Sequence, residues 1–308
     1  MKLYILIIAL IGVLSTALLA QDQTQYNNYV ANQGLLNPAY NGTRDVISGL
    51  LIARSQWLGV EGSPNSQAIN VNGPVEDTNL GLGISLSNDM IGFTNNLNVM
   101  AAASYKIKFD RYRFLSFGLQ FGITSNIYDG TKAVTDNYLD PVFMGKESKI
   151  GFNFGFGAYL YSENYFVGLS IPTFFSQNFN EDDVQFKNTL DPKNLYTYVY
   201  GGYIFDWGEV KVKPTALFRF VYGAPLQFDI AGNVLFAERL WVGLGYRSTS
   251  DAVLLTEFII NRKFTVRYSF DYSFIALNQF AKYGSHEIGL QFDFSFNKRA
   301  GMRSIRYF

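Results

Sequence analysis

One adjacent pair of residues has the chemistry of a hydrolase. Ser285 and His286 would supply a nucleophile and a general base, and His286 is the one histidine in the chain. Adjacent side chains of a β-strand point to opposite faces, so the two residues can cooperate only if a strand begins after them. The sequence around them reads as a strand, and we therefore predict that the protein is not an enzyme.

Metal chemistry is limited to oxygen ligands, because the chain has no cysteine and a single histidine. Residues 180–183 (Asn-Glu-Asp-Asp), together with Asp136 and Asp140, lie in two polar stretches where carboxylates could bind calcium. A solvated acidic loop produces the same pattern and is favoured. We predict no cofactor, and calcium binding stays open.

Charged residues also occur on the polar face of several candidate strands. In a barrel they would either line a pore or pair with one another inside a narrow lumen. If the last hairpin is symmetric about its loop, Arg267 lies opposite Asp293 and Asp271 opposite Gly289. The charged residues predicted to face the lumen are Lys211, Lys213, Arg219, Glu257, Arg267, Asp271 and Asp293.

The elements that carry these residues are strands with one apolar and one polar face. In residues 286–296, Ile288, Leu290 and Phe292 share one parity, and Glu287 and Gln291 share the other. About fourteen segments repeat this alternation. Aromatic residues make up 17% of the chain and charged residues 16%, whereas charged residues are about a quarter of a soluble domain. The sequence predicts an all-β, transmembrane antiparallel β-barrel of about 14 strands.

The chain divides into four predicted parts. Residues 1–20 have one early positive charge, an apolar core and small residues before Gln21, which is typical of a cleaved signal peptide. Residues 21–44 form a polar, turn-rich periplasmic segment, residues 45–297 the barrel and residues 298–308 a basic periplasmic tail. The 25 basic and 25 acidic residues balance without a basic stripe, so no nucleic acid is expected as a partner.

Connection lengths predict the orientation of the barrel. Outer-membrane barrels have short periplasmic turns and longer external loops, and short links fall at every even-to-odd strand junction of the predicted order. The longer connections, including residues 129–148 and 172–194, fall at the other junctions and are predicted to be external. Glycines that alternate with Phe152, Phe154 and Phe156 would face the lumen and leave room inside it.

Several short motifs resemble the PorP/SprF family of type IX secretion system outer-membrane proteins. They are residues 36–42 (Leu-Asn-Pro-Ala-Tyr-Asn-Gly), residues 54–64 (Arg-Ser-Gln-Trp-Leu-Gly-Val-Glu-Gly-Ser-Pro), residues 81–92 and the segments 285–288 and 303–308. The resemblance therefore brackets the mature chain. The sequence departs from the family pattern at Leu36, where isoleucine is usual, and at Ile305, where proline is expected.

The resemblance implies a non-enzymatic accessory barrel that helps a large secreted protein, such as an adhesin, reach or stay on the cell surface. Its partners would be outer-membrane lipid, the secreted substrate's C-terminal sorting domain and components of the type IX machinery. An outer-membrane channel for small solutes is the alternative that the strand pattern alone permits. The motifs nominate as partner-binding residues Asn37, Pro38, Ala39, Tyr40, Gly42, Arg54, Gln56, Trp57 and Gly59.

Overall fold

The chain forms a closed antiparallel β-barrel of fourteen strands in the computed structural model, which describes residues 24–31, 33–132, 145–180, 185–189, 195–274 and 281–294. The alternation of apolar and polar residues explains why these segments form strands with two different faces. Both the fold class and the number of strands predicted from the sequence are confirmed.

The barrel strands follow one another in chain order, and each is hydrogen-bonded to its neighbours. They are β1 (Ile47–Ser55), β2 (Asn65–Pro74), β3 (Leu80–Ile91), β4 (Thr94–Lys108), β5 (Phe114–Asp129), β6 (Lys146–Tyr161), β7 (Tyr165–Ile171), β10 (Thr197–Tyr203, continued by β11, Phe205–Asp206), β12 (Lys211–Phe220), β13 (Gln227–Phe236), β14 (Leu240–Arg247), β15 (Asp251–Ile259), β16 (Phe264–Ser273) and β17 (Ser285–Phe294).

Pairing of the last strand with the first closes the sheet. β17 pairs with β1 over the whole of β1, from Ile47 opposite Phe294 to Ser55 opposite His286. β7, β10 and β12 complete the circle, since β10 pairs with both of the others. Every strand therefore has a partner on both sides over at least part of its length, and β6 is paired with β7 over Phe156–Tyr161. Pairing within the wall is the condition for strands to cross a bilayer.

The two faces of the wall have opposite chemistry. On β17, Ile288, Leu290 and Phe292 point outward, while Glu287 points into the lumen and is 1% exposed. On β6, Phe152 is 64% exposed, and Phe154 and Phe156 share its outward face. The predicted facing of both strands is confirmed: apolar side chains cover the outside, and polar side chains line the inside.

Two connections differ from the predicted ones. Residues 172–194, interpreted from the sequence as a loop, contain a two-stranded hairpin of β8 (Ser176–Asn180) and β9 (Gln185–Thr189). β3 and β4 are joined by Gly92 and Phe93 alone, and Gly92 has a positive φ of 57° that suits this tight turn. Connection lengths therefore do not alternate strictly around the barrel.

The predicted register of the last hairpin is wrong by four residues. Arg267 lies opposite Gly289 and Asp271 opposite Ser285. Arg267 instead donates through Nε to Glu257 on β15 at 3.0 Å. Asp293 forms its ion pair with Arg44, at 2.7 Å. The pairing is shifted by four residues, an even number, so the same faces of both strands stay inward.

The two ends of the barrel are named here by what lies at them. The terminal end is where β1 begins and β17 ends, and it carries the six short links that begin at residues 75, 109, 162, 207, 237 and 260. The loop end is the opposite one. In the turn at residues 109–113, the Tyr112 N–H and the Arg113 guanidinium donate to Asp110 and hold the pKa of its carboxyl below the usual value.

The helices are short. α1 (Gln33–Leu36) has one turn, and 3-10 turns occur at Pro38–Tyr40 and Gly130–Lys132. Within the described residues, no helix has the length and apolar character needed to span a membrane.

Arginine placed on the outer face should destabilise the barrel according to its depth. Phe121 lies at the middle of β5 with its ring outward, so Phe121→Arg should lower the free energy of unfolding by about 2–4 kcal/mol. Ser148 points outward near the loop end of β6, and Ser148→Arg should cost less. Urea titration of the barrel in lipid vesicles measures both; equal losses would mean that Phe121 is not near the membrane midplane.

Candidate functional site

The lumen is occupied by the chain's own N-terminal residues. Residues 24–31 and 33–44, called here the plug segment, contact strands around the whole circumference. Asn27 bonds to residues of β14, β16 and β17, Asn37 to β6 and β7, and Gly42 to β2. An element with partners on opposite walls can only lie inside the barrel.

The plug segment runs from the loop end to the terminal end. Thr24 contacts Ser66 and Asp89, which lie near the loop ends of β2 and β3. Arg44 donates two hydrogen bonds to Asp293 at the terminal end of β17, at 2.9 and 2.7 Å. The chain then turns into β1, so the segment crosses the lumen before the first strand begins.

The Asn-Pro-Ala-Tyr motif is a folded turn pressed against the wall. Asn37 precedes the 3-10 turn and accepts a hydrogen bond from the Ala39 N–H at 2.9 Å. Pro38 begins the turn, where its fixed φ is suitable. The Asn37 side-chain amide also donates to the carbonyls of Ala158 and Leu169, at 3.0 and 3.3 Å. Asn37 is 0% exposed, so this one side chain satisfies both the turn and the wall.

Glycines in the wall make room for this turn. A Cβ atom at Gly157 would lie 1.9 Å from Asn37 Oδ1, and one at Gly118 would lie 2.3 Å from the Ala39 nitrogen. On β3, a Cβ at Gly81 would lie 2.2 Å from the Asn41 carbonyl oxygen. The lumen-side space predicted from the sequence therefore exists, but the plug segment fills it.

Aromatic residues complete the packing at the terminal half of the lumen. Tyr40 contacts Tyr159 edge-on, with ring centroids 5.6 Å apart and planes at 86°. Tyr159, Phe166 and Tyr200 continue the cluster on β6, β7 and β10. These rings face inward, where the alternation of a simple barrel would place small polar groups, because the plug segment provides them with an apolar surface.

A buried ionic network holds the loop half of the plug segment. Arg54 pairs with Asp271 at 2.8 Å and with Glu287 at 3.5 Å, and the Arg54 and Glu287 side chains are fully buried. Glu287 also accepts the backbone N–H groups of Asn27 and Asn28, at 2.8 and 2.9 Å. The wall carboxylate is thus shared between a wall cation and the segment's backbone, which couples the segment to the strands.

The structure separates the nine nominated partner-binding residues into two groups. Asn37, Pro38, Ala39, Tyr40 and Gly42 are buried in the plug segment, and Arg54 is buried in the lumen wall. Gln56, Trp57 and Gly59 lie in the β1–β2 connection at the loop end, where Gly59 is exposed. The structure also differs from the expected periplasmic segment at residues 21–44, because its described part lies inside the barrel.

The candidate catalytic pair does not form. Ser285 faces the lumen and accepts the Trp57 N–H at 3.3 Å, whereas His286 faces outward between Tyr268 and the Tyr283 carbonyl. Asp136, Asp140 and residues 181–183 lie outside the described residues, as do residues 1–20 and 298–308. Within the described ranges, no group of three or more His, Asp or Glu residues is placed to hold a metal ion.

A closed fourteen-strand wall, apolar outside and polar inside, with its lumen occupied by an internal segment, defines an outer-membrane β-barrel. The model of the family described as "Type IX secretion system membrane protein PorP/SprF" matches residues 18–292. The chain belongs to this family.

Two solved structures are similar to this chain at low sequence identity. The CymD monoaromatic hydrocarbon channel is 11% identical, with 85% of this chain and 93% of that chain covered and a TM-score of 0.50. The Acinetobacter baumannii outer membrane protein Omp33 is 10% identical, covering 82% of this chain and 99% of that one, with a TM-score of 0.44. These similarities concern the fold alone. No curated protein matches the sequence.

A methyl group at Gly118 should displace the plug segment. We expect Gly118→Ala to lower the free energy of unfolding by about 1–3 kcal/mol, because the new Cβ meets the backbone of Ala39. The chain has no cysteine, so Ala39→Cys supplies a single buried thiol whose labelling by a maleimide reports displacement. Labelling should be faster in the Gly118→Ala background.

Gly232→Ala is the matched control for this substitution. Its Cβ would have no heavy atom within 4 Å, on the outer face of β13, so stability and labelling of the Ala39→Cys thiol should stay unchanged. Equal labelling rates in the Gly118→Ala and Gly232→Ala backgrounds would contradict the packing described for the plug segment.

Removal of the Arg54 charge should have a large effect. Arg54→Met leaves Glu287 without a cation within ion-pair distance and takes from Asp271 its shortest one, so we expect a loss of about 3–5 kcal/mol in unfolding free energy. Arg113→Met removes an exposed pair with Asp110 in a turn and should change little. Chemical denaturation in detergent compares them; similar small losses for both would show that the buried network does not hold the fold.

Proposed function

We propose that the protein is a non-enzymatic accessory component of the type IX secretion system, acting in the secretion or surface attachment of a large secreted protein such as an adhesin. Family membership over residues 18–292 supports the secretion role. The occupied lumen supports a structural rather than a conducting role. Its proposed partners are the C-terminal sorting domain of the secreted protein, the type IX machinery and outer-membrane lipid.

The observation that carries the non-conducting part of this proposal is the fit between the plug segment and the wall. Asn37, Ala39 and Asn41 are fully buried against the wall formed by β3 to β7, and glycines of β3, β5 and β6 make room for them. A small-solute channel, the alternative from the sequence, would need this segment to leave. The barrel would then serve as a rigid body in the membrane that presents its two ends to partners.

Three nominated residues lie in the connection at the loop end: Gly59 is exposed, and Gln56 and Trp57 are half-buried. Gly59 packs beside the Tyr283 ring with a φ of 94°, and the Leu58 N–H donates to the Gly284 carbonyl at 2.8 Å. The β1–β2 connection is thereby fixed against the β16–β17 connection. We propose that Gln56, Trp57 and Gly59 contribute to a partner surface formed by these two connections.

Conductance separates the two candidate functions. The purified full chain should give no steady single-channel current in a planar bilayer, while a variant that lacks residues 24–43 should conduct, because the lumen is then open. Steady current from the full chain, unchanged by Gly118→Ala, would favour the solute channel and contradict a filled lumen.

Labelling of single cysteines tests the proposed orientation. We propose that a signal peptide directs export of the chain and is then cleaved, and that the loop end is external and the terminal end periplasmic. Lys282→Cys at the loop end should react with an impermeant maleimide on intact cells, and Arg111→Cys at the terminal end should react only after the outer membrane is opened. The reverse pattern would invert the topology.

Recovery of the protein from native envelopes tests the secretion role. The barrel should co-purify with a secreted protein that carries a C-terminal sorting domain, and Trp57→Ala should weaken that recovery while the barrel remains folded. Val210→Ala, an exposed change at the terminal end, is the control. Two results together would refute the proposal. The barrel is recovered without any type IX component, and cells that lack the barrel secrete normally.

A further inference from the structure

A cavity of about 270 Å³ lies in the loop half of the lumen, between the plug segment and the wall formed by β3 to β6. We propose that this cavity binds a small, neutral, hydroxyl-rich ligand of the sugar class. Its volume lies just below the range of roughly 300–1,000 Å³ that is typical of small-molecule sites. The inference does not depend on the role in secretion.

The wall of the cavity is lined by carboxamide and hydroxyl side chains. Each carboxamide offers both donors and an acceptor, and each hydroxyl both donates and accepts, so together they complement the hydroxyl groups of a polyol. Some are already engaged: Gln120 donates to the Pro172 carbonyl and Asn153 to the Phe175 carbonyl, both at 2.7 Å. The lining set on the wall is Ser85, Ser87, Asn96, Asn98, Gln120, Thr124, Asn126 and Asn153.

Unpaired oxygen atoms at the cavity point to a ligand. Asn126 is 5% exposed, and its Oδ1 has no hydrogen-bond partner among the described residues. Asn96 Oδ1, on the paired strand opposite Asn126, is also unpartnered, and so is the Tyr26 hydroxyl on the plug segment. A buried polar atom without a partner costs about 1–3 kcal/mol; all three atoms lie just beneath the cavity surface, and a side-chain rotation that brought one of them to a ligand hydroxyl would remove that cost.

The charged side chains at the cavity are engaged by other residues. Asp89 contacts the hydroxyl of Thr24, which in turn contacts Ser66. Arg219 pairs with Asp229 and donates to Gln227 at 3.1 Å. An ionic ligand would have to displace one of these partners and lose its own hydration. Among the described lining residues, these are the only two with formal charge, so the site favours a neutral ligand.

Aromatic side chains provide the complementary apolar surface. Tyr26, Phe175, Tyr196 and Tyr198 border the cavity, and the rings of Tyr196 and Tyr198 stack at 6.5 Å with planes 18° apart. A sugar ring has an apolar C–H face and a rim of hydroxyl groups. The cavity combines an aromatic border with an amide wall, and this pair of surfaces matches both parts of such a ring.

Saturation-transfer NMR on the purified full chain tests the proposal, with the monosaccharides methyl α-D-glucopyranoside and N-acetylglucosamine as probes, since both are small enough for the cavity. The detergent should be dimethyldodecylamine oxide, because detergents with sugar heads would compete for the site. We expect transfer to the ring C–H protons of at least one probe at millimolar concentration. Asn126→Leu should weaken the binding of that probe by about tenfold or more, equivalent to about 1.4 kcal/mol.

Asn88→Leu is the matched control, because Asn88 lies on the outer face of β3 at a similar height and does not border the cavity. The Asn88→Leu variant should bind the sugar probe with the same affinity as the parent protein. If Asn126→Leu does not fold, as judged by gel mobility without heating, Asn96→Leu takes its place.

Three results would overturn the proposal. They are no transfer to either sugar, sugar binding that both the Asn126→Leu and Asn96→Leu variants retain, and tighter binding of the uncharged peptide acetyl-Ser-Gly-Ser-Gly-amide than of either sugar.

Discussion

The structure depends first on the pairing of backbone N–H and C=O groups in a medium without water. Strands that cross a bilayer must give such groups partners, and the β1–β17 and β10–β12 pairings close the sheet into a ring. Closure fixes the alternation of faces. Closure also creates a polar lumen whose contents the wall does not determine. Those contents decide whether the barrel can conduct solutes.

The plug segment fills much of the lumen and supplies polar and apolar groups that complement those of the wall. Its Asn37 amide reaches wall carbonyls on β6 and β7, its backbone near Asn27 reaches the Glu287 carboxylate, and Tyr40 meets the Tyr159 ring. Each contact joins a residue before the first strand to a strand far along the chain. The barrel is therefore stabilised from within, and an aqueous channel is not a necessary product of its strand number.

Sequence patterns predicted the wall and missed its contents for a physical reason. A strand shows its facing locally, because Phe152, Phe154 and Phe156 alternate with smaller residues whatever lies inside. The glycine at 157 indicated a lumen-side gap from the sequence alone, but a gap does not reveal its occupant. The pairing of Arg267 failed similarly: parity placed it in the lumen, whereas its partner depended on the shape of a loop. Asn37 and Pro38 indicated a structured turn, yet its location required the closed barrel.

The position of the plug segment ahead of β1 constrains the order of assembly. The segment must enter the ring while the seam between β1 and β17 is still open, or thread through a finished ring from one mouth. Threading through a finished ring admits an unfolded peptide and excludes a folded domain, whereas entry through an open seam leaves a domain upstream of Thr24 outside the loop end. If the ring closes first, a compact domain fused upstream of Thr24 would be too large to thread through it. The plug segment would then stay outside the lumen, and the positions of Asn37, Ala39 and Asn41 in the lumen would be empty. A folded reporter fused upstream of Thr24 therefore reports the order of assembly. If the barrel tolerates it, the seam between β1 and β17 closes after the plug segment has entered; if the barrel does not, the seam closes before.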